Sequence, residues 1–309
     1  MSPTVLRTAD AWYLATPDGA AKIPTAAKTT GELLADRTAI AAAGPATDSV
    51  EDLVLVSPVT APCRVVAQMT NFASHVTDSG MDPKTVPLTF FRKTSGSISG
   101  PFDDVVKPSH VRLLDYEVEI GLVIGREIPV GTDIPSLSEY VAGLVVTNDV
   151  SARDIQLPKT QFYEAKSYPT FTPAGPALVL LDADELERFG DLRLRLSVNG
   201  SVRQDSVVGE DMIYRPLEAL RALTRFQRLD PGDLVLTGTP AGTALSAPPK
   251  VVEKLAALLP PALKWKLFFK GQAKNPKYLA DGDVVEASVA TDDGALDLGT
   301  QRTVVRHKR

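Results

Sequence analysis

Asp115, Glu117 and Glu119 alternate with apolar residues in LLDYEVEIGLVIG (113–125). Read as a strand, this spacing puts all three carboxylates on one face, with neighbours roughly 7 Å apart. At an effective dielectric of 20, each adjacent pair of anions repels by about 2–3 kcal/mol. Water on an exposed face can screen that cost, or a bound cation can cancel it. A fourth acid, Asp149, closes the almost uncharged run YVAGLVVTN, where an unpaired carboxylate beside the core is expensive. Carboxylates with no clustered His or Cys select a hard cation: Mg²⁺ or Mn²⁺ ahead of Ca²⁺, and not zinc.

The basic groups could complete such a site. His75 lies in NFASHVTDSG with Asp78 three residues on. On a helical turn the two share a face, so Asp78 would orient the ring as a general base or acid. The alternative is a structural or surface histidine. Arg153 and Gln156 in NDVSARDIQ also lie three apart, and Lys166 follows in EAKSYPTF. Beside a metal these three would bind a carboxylate or enolate; otherwise they are surface ion pairs, which are worth little. LTGTPAG (236–242) lacks the GK[ST] of a nucleotide-phosphate loop. It is either a tight turn or a source of N–H and hydroxyl donors for a substrate oxygen, Thr239 included.

Most elements that would carry these residues are strands: VVAQM (65–69), YEVEIGLVI, YVAGLVVTND, PALVLLD, LRLRLSVNG, DLVLTGTP and GDVVEASV. LRLRLSV predicts one wet and one buried face. Helices are expected at 31–43, capped by Thr30, at 212–226, where Ile213, Leu217, Leu220 and Leu223 keep helical spacing, and at VVEKLAALL before Pro260-Pro261. Leu263, Trp265, Leu267 and Phe269 then form an aromatic arm that either seals a pocket rim or interface, or packs as an extra hairpin or helix. Residues 74–104, polar and Gly/Pro-rich around LTFF, read as a lid or binding loop. Residues 1–58 read as a small N-terminal domain ahead of a catalytic, β-rich body at 59–309. No strand runs through GxGxxG into a helix, so a doubly wound nucleotide fold is not expected.

The 309 residues, 44% hydrophobic and 23% charged, suffice for a core that needs no disulfide. A net charge of −5 argues against a nucleic-acid partner. The single cysteine, Cys63, fits a reducing compartment. With no signal pattern and no long apolar run, the expectation is a cytoplasmic protein without a membrane partner.

In this order, LDYEVEIGLVIG, YVAGLVVTNDVSARDIQ, KSYPTFTPAGPALV, VNGSVRQDS and LDPGDLVLTGTPAG resemble the fumarylacetoacetate hydrolase family over roughly residues 65–300. The resemblance implies a mostly β, α+β fold, a mixed β-roll with a small N-terminal domain, usually as a homodimer. It implies a divalent cation on Glu117, Glu119 and Asp149, with Asp115 outside the ligand set. It also implies His75 and Lys166 as catalytic groups, and Lys93, Arg153, Gln156 and Thr239 lining the substrate site. The family often has Glu where this chain has Asp78, and KSFDTF where it has KSYPTF. Its link after TGTP is shorter than 246–277.

The expected activity is metal-dependent hydrolysis of a C–C bond in a 1,3-dicarbonyl acid, an acylpyruvate or diketo acid. His75, directed by Asp78, would activate water. The alternatives are decarboxylation, hydration or isomerisation of a 2-oxo acid through an enolate held by the metal, and a non-catalytic metal-dependent binder of small oxo acids.

Overall fold

The computed structural model describes residues 2–159, 161–245 and 259–308. It is a mixed α+β fold dominated by strands. A nine-stranded sheet is ordered Gly19–Lys22, Trp12–Thr16, Thr4–Arg7, Leu178–Leu180, Val141–Asn148, Val118–Ile124, Leu234–Leu236, Val65–Met69, Thr89–Lys93. A five-stranded sheet runs Ser201–Val207, Leu192–Val198, Val284–Thr291, Asp297–His307, Val105–Lys107. Leu192–Val198 alternates buried and more exposed residues as its LRLRLSV pattern predicts.

The central strands behave differently. Every residue of Val118–Ile124 and of Val141–Asn148 is buried, so the carboxylates before and within them have no wet face to occupy. The acidic run is not one strand either. Leu114–Asp115 pairs with Ser151–Ala152, and a break at Tyr116 and Glu117 precedes Val118–Ile124. Leu234–Leu236 runs parallel to Val65–Met69 and antiparallel to Val118–Ile124, which is antiparallel to Val141–Asn148. The segments after three of these strands and the one before the fourth therefore gather at a single end of the sheet.

Several expectations need correction. The N-terminal meander does not stand apart: Thr4 and Val5 pair with Val179 and Leu178, so the expected boundary at residue 58 is not a break in the sheet. The helix expected at 31–43 is two short ones, Thr30–Ala35 and Arg37–Ala41, because Asp36 ends the first and caps the second. The cap of the first is Thr29, in a capping box with Glu32, not Thr30, whose hydroxyl is buried against Pro58 O. The helix expected over 212–226 is confined to Pro216–Leu223, since proline cannot sit in a helix interior and here starts one. The proposed lid is half structured: LTFF enters the edge strand Thr89–Lys93 and Ala73–Asp78 is a helix. The helix expected at VVEKLAALL falls almost wholly outside the described residues. The aromatic arm is helical, Pro261–Gln272.

Candidate active site

Antiparallel register assembles the acidic cluster. Thr147 pairs with Glu119 and Asn148 with Val118, and the Asp149 N–H donates to Glu117 O at 2.8 Å. Asp149 thus lies opposite Glu117, and Glu119 follows two residues along. One carboxylate oxygen from each of Glu117, Glu119 and Asp149 falls within 4.8 Å of the others, all three residues buried.

Three buried cations answer them. Lys166 Nζ donates to Glu117 Oε2 at 2.5 Å and Asp149 Oδ2 at 2.6 Å. Lys93 Nζ pairs with Asp149 and donates to Phe171 O at 2.8 Å. Arg153 spans Asp115 Oδ2 (2.8 Å), Glu117 Oε1 (2.5 Å) and Gln156 Oε1 (2.8 Å). The one-turn helix Arg153–Gln156 points both side chains the same way, as their spacing predicts. Asp115 is saturated, accepting from Arg153 and from the N–H groups of Tyr116, Ala244 and Leu245. It braces the chain after TGTP rather than offering a free ligand oxygen.

Glu119 is the odd one out. No cation pairs with it among the described residues; its donor is the Gly238 N–H, at 2.7 Å. Burial, with Asp149 and Glu117 beside it, raises its pKa well above the ordinary carboxylate value. Burial also opposes ionisation of Glu117, but Arg153 and Lys166 overcome it and hold its pKa low. Burial disfavours the Lys166 ammonium, yet Asp149 and Glu117 raise its pKa. For Lys93 burial prevails over Asp149 and lowers it. The cluster is short of positive charge at Glu119, and its donors are all carboxylate oxygens. Both facts suit a hard dication held by Glu117, Glu119 and Asp149.

Part of this cluster forms the floor of a cavity of about 1380 Å³. Glu117, Glu119, Arg153, Gln156, Lys166, His75 and Thr239 all line it. Lys93, expected on the lining, instead lies behind Asp149 with its side chain fully buried. The Thr239 hydroxyl is already engaged, donating to Val118 O at 2.9 Å and accepting from Gln204 Nε2 at 2.8 Å. Burial lowers the His75 pKa, partly offset by Glu117, so the ring is neutral near pH 7. Asp78 does not join it: Asp78 is exposed on the outer side of the helix Ala73–Asp78, and His75 Nδ1 is buried without a hydrogen-bond partner among the described residues.

Sequence reasoning missed the braces. Asn71 donates to Thr237 O at 2.8 Å and to Tyr214 O at 3.0 Å, tying the histidine loop to TGTP. Asn148 accepts from the Glu117 N–H at 2.9 Å. Gln204 holds Thr239, and Asp211 accepts from the Ser74 N–H at 2.7 Å. Asn71, Asn148 and Gln204 stand inside quoted motifs, but an amide there reads as ordinary turn chemistry until its partner from another segment is known.

Known proteins resemble this chain at the level of family and fold. The sequence profile "Fumarylacetoacetate (FAA) hydrolase C-terminal" matches residues 64–306. The chain is 35% identical over 205 residues to the mitochondrial oxaloacetate tautomerase Fahd2a of Rattus norvegicus, covering 65% of this chain and 63% of that protein. The chain thus spans just under two thirds of that relative's length. It is 34% identical over 255 residues to the 2,4-didehydro-3-deoxy-L-rhamnonate hydrolase of a Sphingomonas species, covering 82% of this chain and 76% of the other. The crystal structure of a 5-carboxymethyl-2-hydroxymuconate delta-isomerase from Mycobacterium smegmatis superposes with a TM-score of 0.69 at 25% identity, over the full length of both chains.

Proposed function

This chain belongs to the fumarylacetoacetate hydrolase family, and from that premise we propose that it is a divalent-metal-dependent enzyme acting on small 2-oxo or 1,3-dicarbonyl acids. The observation that carries the proposal is the buried triad Glu117, Glu119 and Asp149, whose Glu117 and Glu119 line one cavity together with Arg153 and Lys166. A dication there, Mg²⁺ or Mn²⁺, would supply Lewis acidity to the oxygens of a 2-oxo acid.

The chain's own groups do the rest. Arg153 and Lys166 hold positive charge where a carboxylate and a developing enolate oxygen would lie. Gln156 fixes the Arg153 guanidinium. His75, neutral and lining the cavity, is the base that takes a proton. In the hydrolytic reading it takes that proton from water, the hydroxide attacks the distal carbonyl, and the C–C bond breaks to leave an enolate. In the second reading it takes a proton from the substrate carbon and returns one elsewhere, giving tautomerisation or isomerisation. The names of the rat and Mycobacterium relatives support this second reading, while the Sphingomonas relative's name supports hydrolysis.

One experiment separates them. The protein is incubated with an acylpyruvate or with oxaloacetate, with Mg²⁺ and then with EDTA, in ¹⁸O-water and in deuterium oxide. Two acids, one carrying ¹⁸O, mean hydrolysis; deuterium exchange without cleavage means tautomerisation. Activity that survives EDTA overturns the metal assignment. Homodimer assembly and a cytoplasmic location remain part of this proposal. Among the described residues no helix is long and apolar enough to cross a membrane.

A further inference from the structure

The cavity is far larger than its floor requires. Sites for drug-sized ligands usually measure about 300–1,000 Å³, and this one reaches about 1380 Å³. Above the floor its wall changes character. On one side the helix Pro261–Gln272 presents Trp265, Leu267 and Phe268. Met81, Phe91 and Phe162 line the same cavity.

Both groups contain packed rings. Trp265 stacks on Phe269 with centroids 5.6 Å apart and planes 18° from parallel, and Phe268 meets Trp265 edge-on at 5.9 Å. Elsewhere on the lining Phe91 and Phe162 meet edge-to-face at 5.6 Å. Lys166 Nζ lies 5.3 Å from the Phe91 ring centroid, so the aromatic wall begins where the polar floor ends. Beyond that floor the charged residues on the described lining are Asp82 and Lys264, opposite in sign and both exposed. A second carboxylate at the far end of a substrate would find no buried cation there. An apolar ring would find edges and faces of other rings, the arrangement aromatic pairs prefer.

We propose that the outer half of this cavity selects 2-oxo acids bearing a bulky aromatic or aliphatic tail, with the Pro261–Gln272 helix as the element that reads the tail. The inference rests on the oxo-acid reading of the floor and deepens it. It sets this chain apart from a dicarboxylate enzyme, for which the described wall supplies no buried counter-charge and only the exposed Lys264. The helix belongs to the segment between TGTP and the Val284–Thr291 strand.

The test is calorimetric titration of the full-length protein with phenylpyruvate, pyruvate and oxaloacetate in Mg²⁺. Phenylpyruvate is expected to bind at least tenfold more tightly than pyruvate. That advantage is expected to shrink at least fivefold in Phe268→Ala and in Leu267→Ala, and to persist in Trp265→Phe, which keeps a ring in place. Because the chain has only Trp12 and Trp265, a Trp12→Phe protein offers a second readout. Its remaining fluorescence should change with phenylpyruvate and not with pyruvate. Equal affinity for phenylpyruvate and pyruvate, preference for oxaloacetate, or an advantage untouched by Phe268→Ala and Leu267→Ala overturns the inference and leaves the oxo-acid reading standing. Failure of all three acids to bind overturns the oxo-acid reading itself, and this inference with it.

Discussion

Glu119 holds the least comfortable position in the site. It is buried beside two other carboxylates and takes its hydrogen bond from Gly238 rather than from a cation. With its pKa raised by burial beside Asp149 and Glu117, protons compete with a metal for this carboxylate. Mg²⁺ affinity is therefore expected to rise with pH, with protons released as the ion binds. Calorimetry in two buffers of different ionisation enthalpy measures that release. Glu119→Gln is expected to abolish the Mg²⁺-dependent rise in melting temperature while leaving a folded protein, since it removes a ligand and a buried repulsion together. His75 and Asp78 should part company on mutation. His75→Asn is expected to lower kcat/KM by about 10²–10⁴, the range for loss of a general base. Asp78→Asn should change it by no more than about threefold, as for an exposed side chain away from the chemistry. Steady-state kinetics on the active substrate checks both. Gln68 is 2% exposed, with neither amide atom hydrogen-bonded among the described residues. Gln68→Met is expected to raise stability by about 1 kcal/mol or more, because it removes a desolvated amide at similar volume; urea denaturation reads the change.

The elements explain why those residues meet. A strand with both faces buried cannot use the acid/apolar alternation as a solvent pattern, so the sequence period around Glu117 and Glu119 reports a polar pocket inside the core. The same packing makes Gly143 indispensable. A Cβ there would lie 2.1 Å from Val179 O, on the neighbouring strand that pairs Leu144 with Val179 and Gly143 with Leu180. Gly143→Ala is expected to cost more than about 3 kcal/mol, or to prevent folding, which soluble yield and thermal melting will show. Cys63 lies half-buried, and burial together with Asp233 pushes its thiol up to about 12. It is therefore a poor nucleophile near pH 8, in keeping with its place as packing and not chemistry.

At the scale of the molecule, the N-terminal meander and the family body share one sheet although the family profile begins only at residue 64. Deleting residues 1–22 would expose the Leu178–Leu180 edge and remove the buried side chains of Val5, Leu6 and Trp12. Each fully buried side chain of this size contributes about 1.5–3 kcal/mol. The shortened protein is expected to melt more than about 10 °C lower, or to aggregate through the freed edge. A melt indistinguishable from the full chain would restore an independent N-terminal unit.

Much of this was legible in the sequence. Strand identity followed from short apolar runs between turn signals; the acid/apolar alternation left a solvated face and a cation site both open, and the family resemblance singled out Glu117, Glu119 and Asp149. The Arg153–Gln156 turn followed from a spacing of three. Each of these is a local property, set by periodicity and side-chain chemistry within one segment. What remained hidden was every relation between segments. Lys93 sits behind Asp149, Asp78 faces out, the Thr239 hydroxyl is taken by Val118 and Gln204, and the meander joins the main sheet. Register and side-chain direction between distant strands depend on how the whole core packs, and a contact such as Gln204 with Thr239 leaves no mark on either residue's own neighbourhood.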